Sequence, residues 1–191
     1  MSLLWSDTGD MTPETEPFVQ RRERLGDEHV RTWQQTIEET QLLADERRED
    51  GWETTTVMAP HTDTVSREMN DHDRFGLIHV LPNNYADDFR DAFDEAFTEY
   101  LVYGSAIEGV MYVAIELIDP EAERSILVSC KYDMTTAEGM TKSALDEGAL
   151  YSYFTLISGE VLGRFQYEEF EPLVTPPDGA ATSGATGPTD T

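Results

Sequence analysis

Two apolar runs, Val110 to Ile118 and Ser125 to Tyr132, stand almost back to back, joined by Asp119-Pro120-Glu121-Ala122-Glu123. Both are rich in the residues that suit a pleated strand, and a connection this short makes them an antiparallel hairpin. A second pair, Leu150 to Ile157 and Val161 to Tyr167, repeats the pattern around Ser158-Gly159-Glu160. Strands that arrive as hairpins with helices between them predict an α+β fold with a largely antiparallel sheet, not a doubly wound parallel one.

Three helical signals complete the outline. Phe18, Leu25, Val30, Trp33, Ile37 and Ala44 fall near one stripe, which predicts a long N-terminal helix over residues 18–50. Gly26 is a candidate interruption, and Asp27 a plausible N-cap for the segment that runs to Asp50-Gly51. Tyr85, Phe89, Phe93 and Phe97 recur every four residues, the spacing of one helix face. Thr135 and Glu138 have capping-box spacing, so a further helix is expected from there to Gly148. Two strands sit between the first and second helices. Trp52 to Ala59 is β-rich, and Phe75 to Leu81 is apolar on both faces, which predicts a covered, interior strand.

The expected organisation is a flexible acidic arm over 1–17, one domain over 18–171 and a Pro, Gly, Ala, Ser and Thr tail over 172–191. Leu3, Leu4 and Trp5 are the arm's local docking candidates. The N-terminal helix is expected to pack on its own sheet, with a homodimer through residues 27–50 as the alternative.

Charge narrows the setting. Lys plus Arg number 13 against 39 Asp plus Glu, a formal net charge of −26 at pH 7. Lys131 and Lys142 are the two lysines among those 13 cations. Phosphate recognition needs clustered Lys and Arg, so nucleic acid and anionic membranes are poor partners. Neither a signal peptide nor a membrane-length apolar run is present, which predicts a cytoplasmic chain. Cys130 is the single cysteine, in phase with Ile126 and Val128 and so expected to be a buried small hydrophobe.

Chemical motifs are sparse. The sequence holds no phosphate-binding glycine loop, zincin motif, nucleophile elbow or EF-hand loop. Ser105, between Gly104 and Ala106, reads as a turn serine. Gly159 and Gly163 read as a turn and a strand irregularity. The segment from His61 to His79 holds three of the four histidines with Asp63, Asp71 and Asp73. Its metal candidates are His61, Asp63 and His79, since imidazole with carboxylate suits one divalent metal that could activate water for hydrolysis. The competing expectation is a core histidine at 79 and loop residues around it.

The run Phe75-Gly76-Leu77-Ile78-His79-Val80-Leu81-Pro82-Asn83-Asn84-Tyr85, with Glu116-Leu117-Ile118-Asp119-Pro120-Glu121, resembles an uncharacterised haloarchaeal family of small acidic proteins. The resemblance covers Trp52 to Phe170 and implies one compact domain in a salt-rich cytoplasm. It carries no activity and no functional residue. The expected role is therefore a non-enzymatic binding or adaptor module without a cofactor, taking a protein partner or small ligand. A metal-dependent hydrolase and a small-molecule sensor with a pocket beside the Tyr85 to Phe97 helix are the alternatives.

Overall fold

A computed structural model describes residues 18–175. The arm over 1–17 and most of the expected tail lie outside the described residues. Helix α1 (Phe18–Glu49) leads into β1 (Glu53–Ala59), β2 (His61–Val65) and β3 (Gly76–Leu81). Then come α2 (Ala86–Ala92), β4 (Glu99–Ile107), β5 (Val110–Asp119) and β6 (Arg124–Asp133). Helix α3 (Glu138–Glu147), β7 (Leu150–Leu156), β8 (Val161–Tyr167) and α4 (Glu171–Val174) complete the described order.

The α+β class and the long N-terminal helix hold. The strands form two sheets rather than one, ordered β1-β6-β5-β4 and β2-β3-β7-β8. Both expected hairpins are present, β5 with β6 and β7 with β8. Each sheet also contains one parallel pair, β1 with β6 and β3 with β7. These pairs join strands far apart in sequence, so no local turn signal announces them.

The sheets face each other across the core. Val57 and Ala59, Ile126 and Val128, and Ile115 and Leu117 point inward from the first sheet; Leu77, Leu81, Phe154 and Phe165 meet them from the second. The first sheet's opposite face is covered by α1, where Ala44 packs on Ala114, Leu127, Leu43 and Tyr103. The stripe on α1 thus serves its own sheet, except at Val30, which faces solvent at 59% exposure. Its innermost residues are small, Thr36, Thr40 and Ala44, which lets the helix approach closely. Both threonine hydroxyls donate to the carbonyl four residues earlier and so need no other partner.

One ion pair pins this layer. Arg47 Nε and Nη2 donate to Glu116 at 2.7 and 3.0 Å, and the Tyr103 hydroxyl donates to the same carboxylate at 3.1 Å. Glu116 is 1% exposed, so its charge depends on these donors. Burial and Glu116 together push the Tyr103 phenol up to about 12.

Several local expectations need correction. Helix α1 runs through Gly26 without a break, because that position is exposed and a glycine there costs only about 1 kcal/mol relative to alanine. Asp27 is therefore inside the helix, not its cap. At α3 the capping box does not form; the Asp133 carboxylate accepts from the Thr135 N–H and caps the preceding 3-10 turn instead. Gly148 ends α3 in the left-handed conformation, as expected. The segment His61–Val65, read as loop, is strand β2. Ser105 is not in a turn but in β4, opposite Tyr112.

The Tyr85 to Phe97 stripe is not one helix. Helix α2 ends at Ala92, and Phe93 is extended. Phe89 is fully buried against Phe154, while Phe93 lies over Gly163, where an added Cβ would stand 2.6 Å from its ring. Arg124 holds the turn that follows: Nη2 donates to Asp94 at 3.0 Å and to Asp119 at 2.6 Å, and the guanidinium sits over the Phe97 ring. Distant contacts therefore override the helical spacing. Pro172 to Val174, expected in the tail, belong to α4, which buries Leu173, and the Tyr132 hydroxyl donates to the Leu173 carbonyl at 2.7 Å.

Candidate binding groove

The three metal candidates do not converge. Strand β2 pairs antiparallel with β3, placing Thr62 opposite His79 and Asp63 opposite Ile78. Because side chains alternate along a strand, Thr62 and His79 share the core face, and His61 and Asp63 point to the other. His61 Nε2 and Asp63 Oδ1 are 3.0 Å apart, both exposed. Among the described residues, no group of three or more His, Cys, Asp or Glu side chains is placed to hold a metal ion.

His79 is fully buried and stacked on Phe154. Its Nδ1 lies 2.9 Å from the Thr62 hydroxyl and its Nε2 2.8 Å from the Ser152 hydroxyl, which accepts from the Tyr167 hydroxyl at 2.9 Å. With the proton on Nδ1, donation runs in one direction, Tyr167 to Ser152 to His79 to Thr62, and every member is satisfied. Desolvation lowers the imidazole to about 3, so it is neutral in this chain of bonds. The core-histidine expectation describes this residue. Cys130 is likewise fully buried, and burial pushes its thiol up, away from the reactive thiolate.

A broad concavity lies elsewhere, beside the last strands of both sheets. Strands β4 and β8 are the last strands of their respective sheets, and both border one groove of about 1630 Å³. Tyr100 and Val102 of β4 form one wall, Phe165 of β8 the other, and Leu145 of α3 and Val174 of α4 add apolar surface. Leu145 is 69% exposed, a large apolar side chain facing solvent beside the groove. Phe93 and Phe97, which follow the end of α2, also line it.

The mouth is acidic. Asp94, Glu95, Glu99, Glu168, Glu169 and Glu171 line it, all exposed, against one cation, Arg164. Asp94 is engaged by Arg124, whereas the other five carboxylates have no salt-bridge partner among the described residues. Burial and the nearby charge of Glu169 push the Tyr100 phenol up to about 12. The lining contains no histidine, cysteine, serine or lysine among the described residues; its polar side chains are the carboxylates, Thr98, Thr141, Thr175, Gln166, Tyr100 and Arg164.

Sequence reasoning missed this groove because it missed β4. The signal was the run Tyr100 to Ala106, apolar and aromatic with Gly104 inside it, which the i+4 spacing of the preceding phenylalanines obscured.

The fold defines a class: an α+β protein of two facing four-stranded sheets, one covered by a long helix, with an open cleft between two sheet edges. The chain belongs to a family of unknown function, DUF7529, which matches residues 19–175. No curated protein matches the chain, and no solved structure does. Among the described residues, no helix is long and apolar enough to cross a membrane.

Proposed function

We propose that this chain is a non-enzymatic binding module whose groove between β4 and β8 takes a segment of a protein partner. The observation that carries the reading is that β4 and β8, each paired on one side alone among the described residues, border one groove lined in part by apolar side chains. An open edge offers a row of backbone donors and acceptors, and the groove offers the surface on which alternate side chains of an added segment pack. Size separates this from the small-molecule reading. Pockets for small ligands run about 300–1,000 Å³ and enclose them, whereas this open groove exceeds that range.

The setting proposed is the cytoplasm of a salt-accumulating archaeon. A net charge of −26 repels itself across the surface in dilute buffer, where the Debye length is about 30 Å at 0.01 M. In molar salt it falls to about 3 Å, and the folded chain is relieved of that repulsion.

Peptide display against the full chain in 1 M KCl tests the reading. Enriched peptides that bind the wild type and are lost with Val102→Arg and Leu145→Arg support it. No enrichment, or peptides indifferent to both substitutions, overturns it.

A further inference from the structure

Resting on the groove reading above, we infer that the partner segment is an extended strand, apolar at alternate positions and basic between them, which adds to the edge of β4.

The two edges are not equivalent. Strand β8 is irregular: its pairing with β7 shifts register between Phe154 and Thr155, and such a bulge blunts an edge. Strand β4 carries no bulge. It is nine residues long and pairs with β5 in unbroken register from Glu99 to Ile107. After Glu99 it has no charge and no proline as far as Ile107. A long, regular, uncharged edge is the form natural sheets avoid leaving open. Among the described residues β4 pairs with β5 alone, so its other side is the place for one more strand.

The pleat and the charge set the partner's chemistry. An added strand continues the alternation of β4, so every second side chain shares the face of Tyr100 and Val102, and those beside Glu99 to Val102, the part of β4 that lines the groove, pack into it. Those positions suit apolar residues. The carboxylates without a cation partner among the described residues, Glu95, Glu99, Glu168, Glu169 and Glu171, stand exposed around the mouth; Glu99 alternates with Tyr100 on β4 and so shares the face of the positions between, which suit Lys or Arg long enough to reach this rim. The chain's own residues 176–191 contain Asp178 and Asp190 and no Lys or Arg, so they have the wrong sign for this rim. A second copy meets the same objection, since each chain has net charge −26.

The test uses the full chain in 0.3 M KCl and three labelled peptides of nine residues, the length of β4, read by fluorescence anisotropy. All place valine at alternate positions, with lysine, serine or glutamate between. The lysine peptide is expected to bind at least about ten-fold tighter than the serine peptide, from several weak ion pairs, and the glutamate peptide weakest. Glu99→Lys with Glu168→Lys and Glu169→Lys, all at exposed sites, removes the lysine preference.

Two lysine peptides N-methylated at odd or at even residues test the backbone. One set is expected to lose binding, because an added strand turns alternate N–H groups toward β4. Equal binding by both methylated peptides overturns strand addition, and equal binding by the three charge types overturns the basic partner. Either result leaves the groove reading standing if Val102→Arg still abolishes binding; failure of every peptide sinks both. Sedimentation velocity in the same buffer is expected to show a monomer that peptide does not alter. A dimer that the lysine peptide cannot dissociate overturns the inference in favour of a second copy on β4.

Discussion

Replacing His79 with glutamine is expected to flatten the acid side of the stability profile. The unfolded imidazole takes up a proton near pH 6.5 and the buried one only near 3. Between those values the unfolded state binds more protons, so stability is highest above pH 6.5 and falls as the pH drops toward 3. Integrated from pH 7 to pH 5, the loss is about 2 kcal/mol, and by pH 3 it reaches about 4 kcal/mol. Glutamine fills much of the same space, can keep a bond to Ser152, and does not titrate. Leaving the Thr62 hydroxyl without its partner lowers stability at pH 7 by about 1–3 kcal/mol. Urea unfolding in 1 M KCl at pH 7, 6 and 5 measures both terms. The gap between wild type and His79→Gln is expected to narrow by about 2 kcal/mol from pH 7 to pH 5. Carboxylate titration is common to both proteins and cancels in that comparison. A gap that stays constant refutes the assignment of a neutral, unprotonated His79 to the core.

Other outcomes follow from packing and charge. Arg47→Met leaves Glu116 as a buried charge with only Tyr103 to meet it and is expected to cost about 3 kcal/mol. The double variant with Glu116→Leu recovers much of that loss, which a denaturation cycle reads directly. Gly163→Ala drives a methyl into the Phe93 and Phe89 rings and is expected to destabilise by about 1–3 kcal/mol in the same assay. Raising KCl from 0.1 to 2 M is expected to raise the melting temperature, since it screens a net charge of −26; an unchanged or falling value by calorimetry contradicts the salt-adapted surface.

Local signals in the chain determined the parts that depend on near neighbours. Alternation and short turns announced both hairpins, the stripe from Leu25 to Ala44 announced α1, and Gly148 announced the end of α3. These features were legible because the residues that cause them lie within a turn or two of each other. The core placement of His79 was also readable, since Phe75, Leu77 and Leu81 surround it in phase. What the chain could not show was pairing between distant strands. The parallel contacts of β1 with β6 and β3 with β7 divide the strands into two sheets, and no turn chemistry encodes them. Phe93 left its helical phase because Gly163, seventy residues on, made room for its ring. His61, Asp63 and His79 looked like neighbours in sequence, yet strand alternation sends them to opposite faces. The groove exists for the same reason. Its walls come from β4, α3, β8 and α4, elements whose residues share no local pattern and meet only when the sheets pack, because long-range burial of apolar surface rather than local propensity decides which edges remain open.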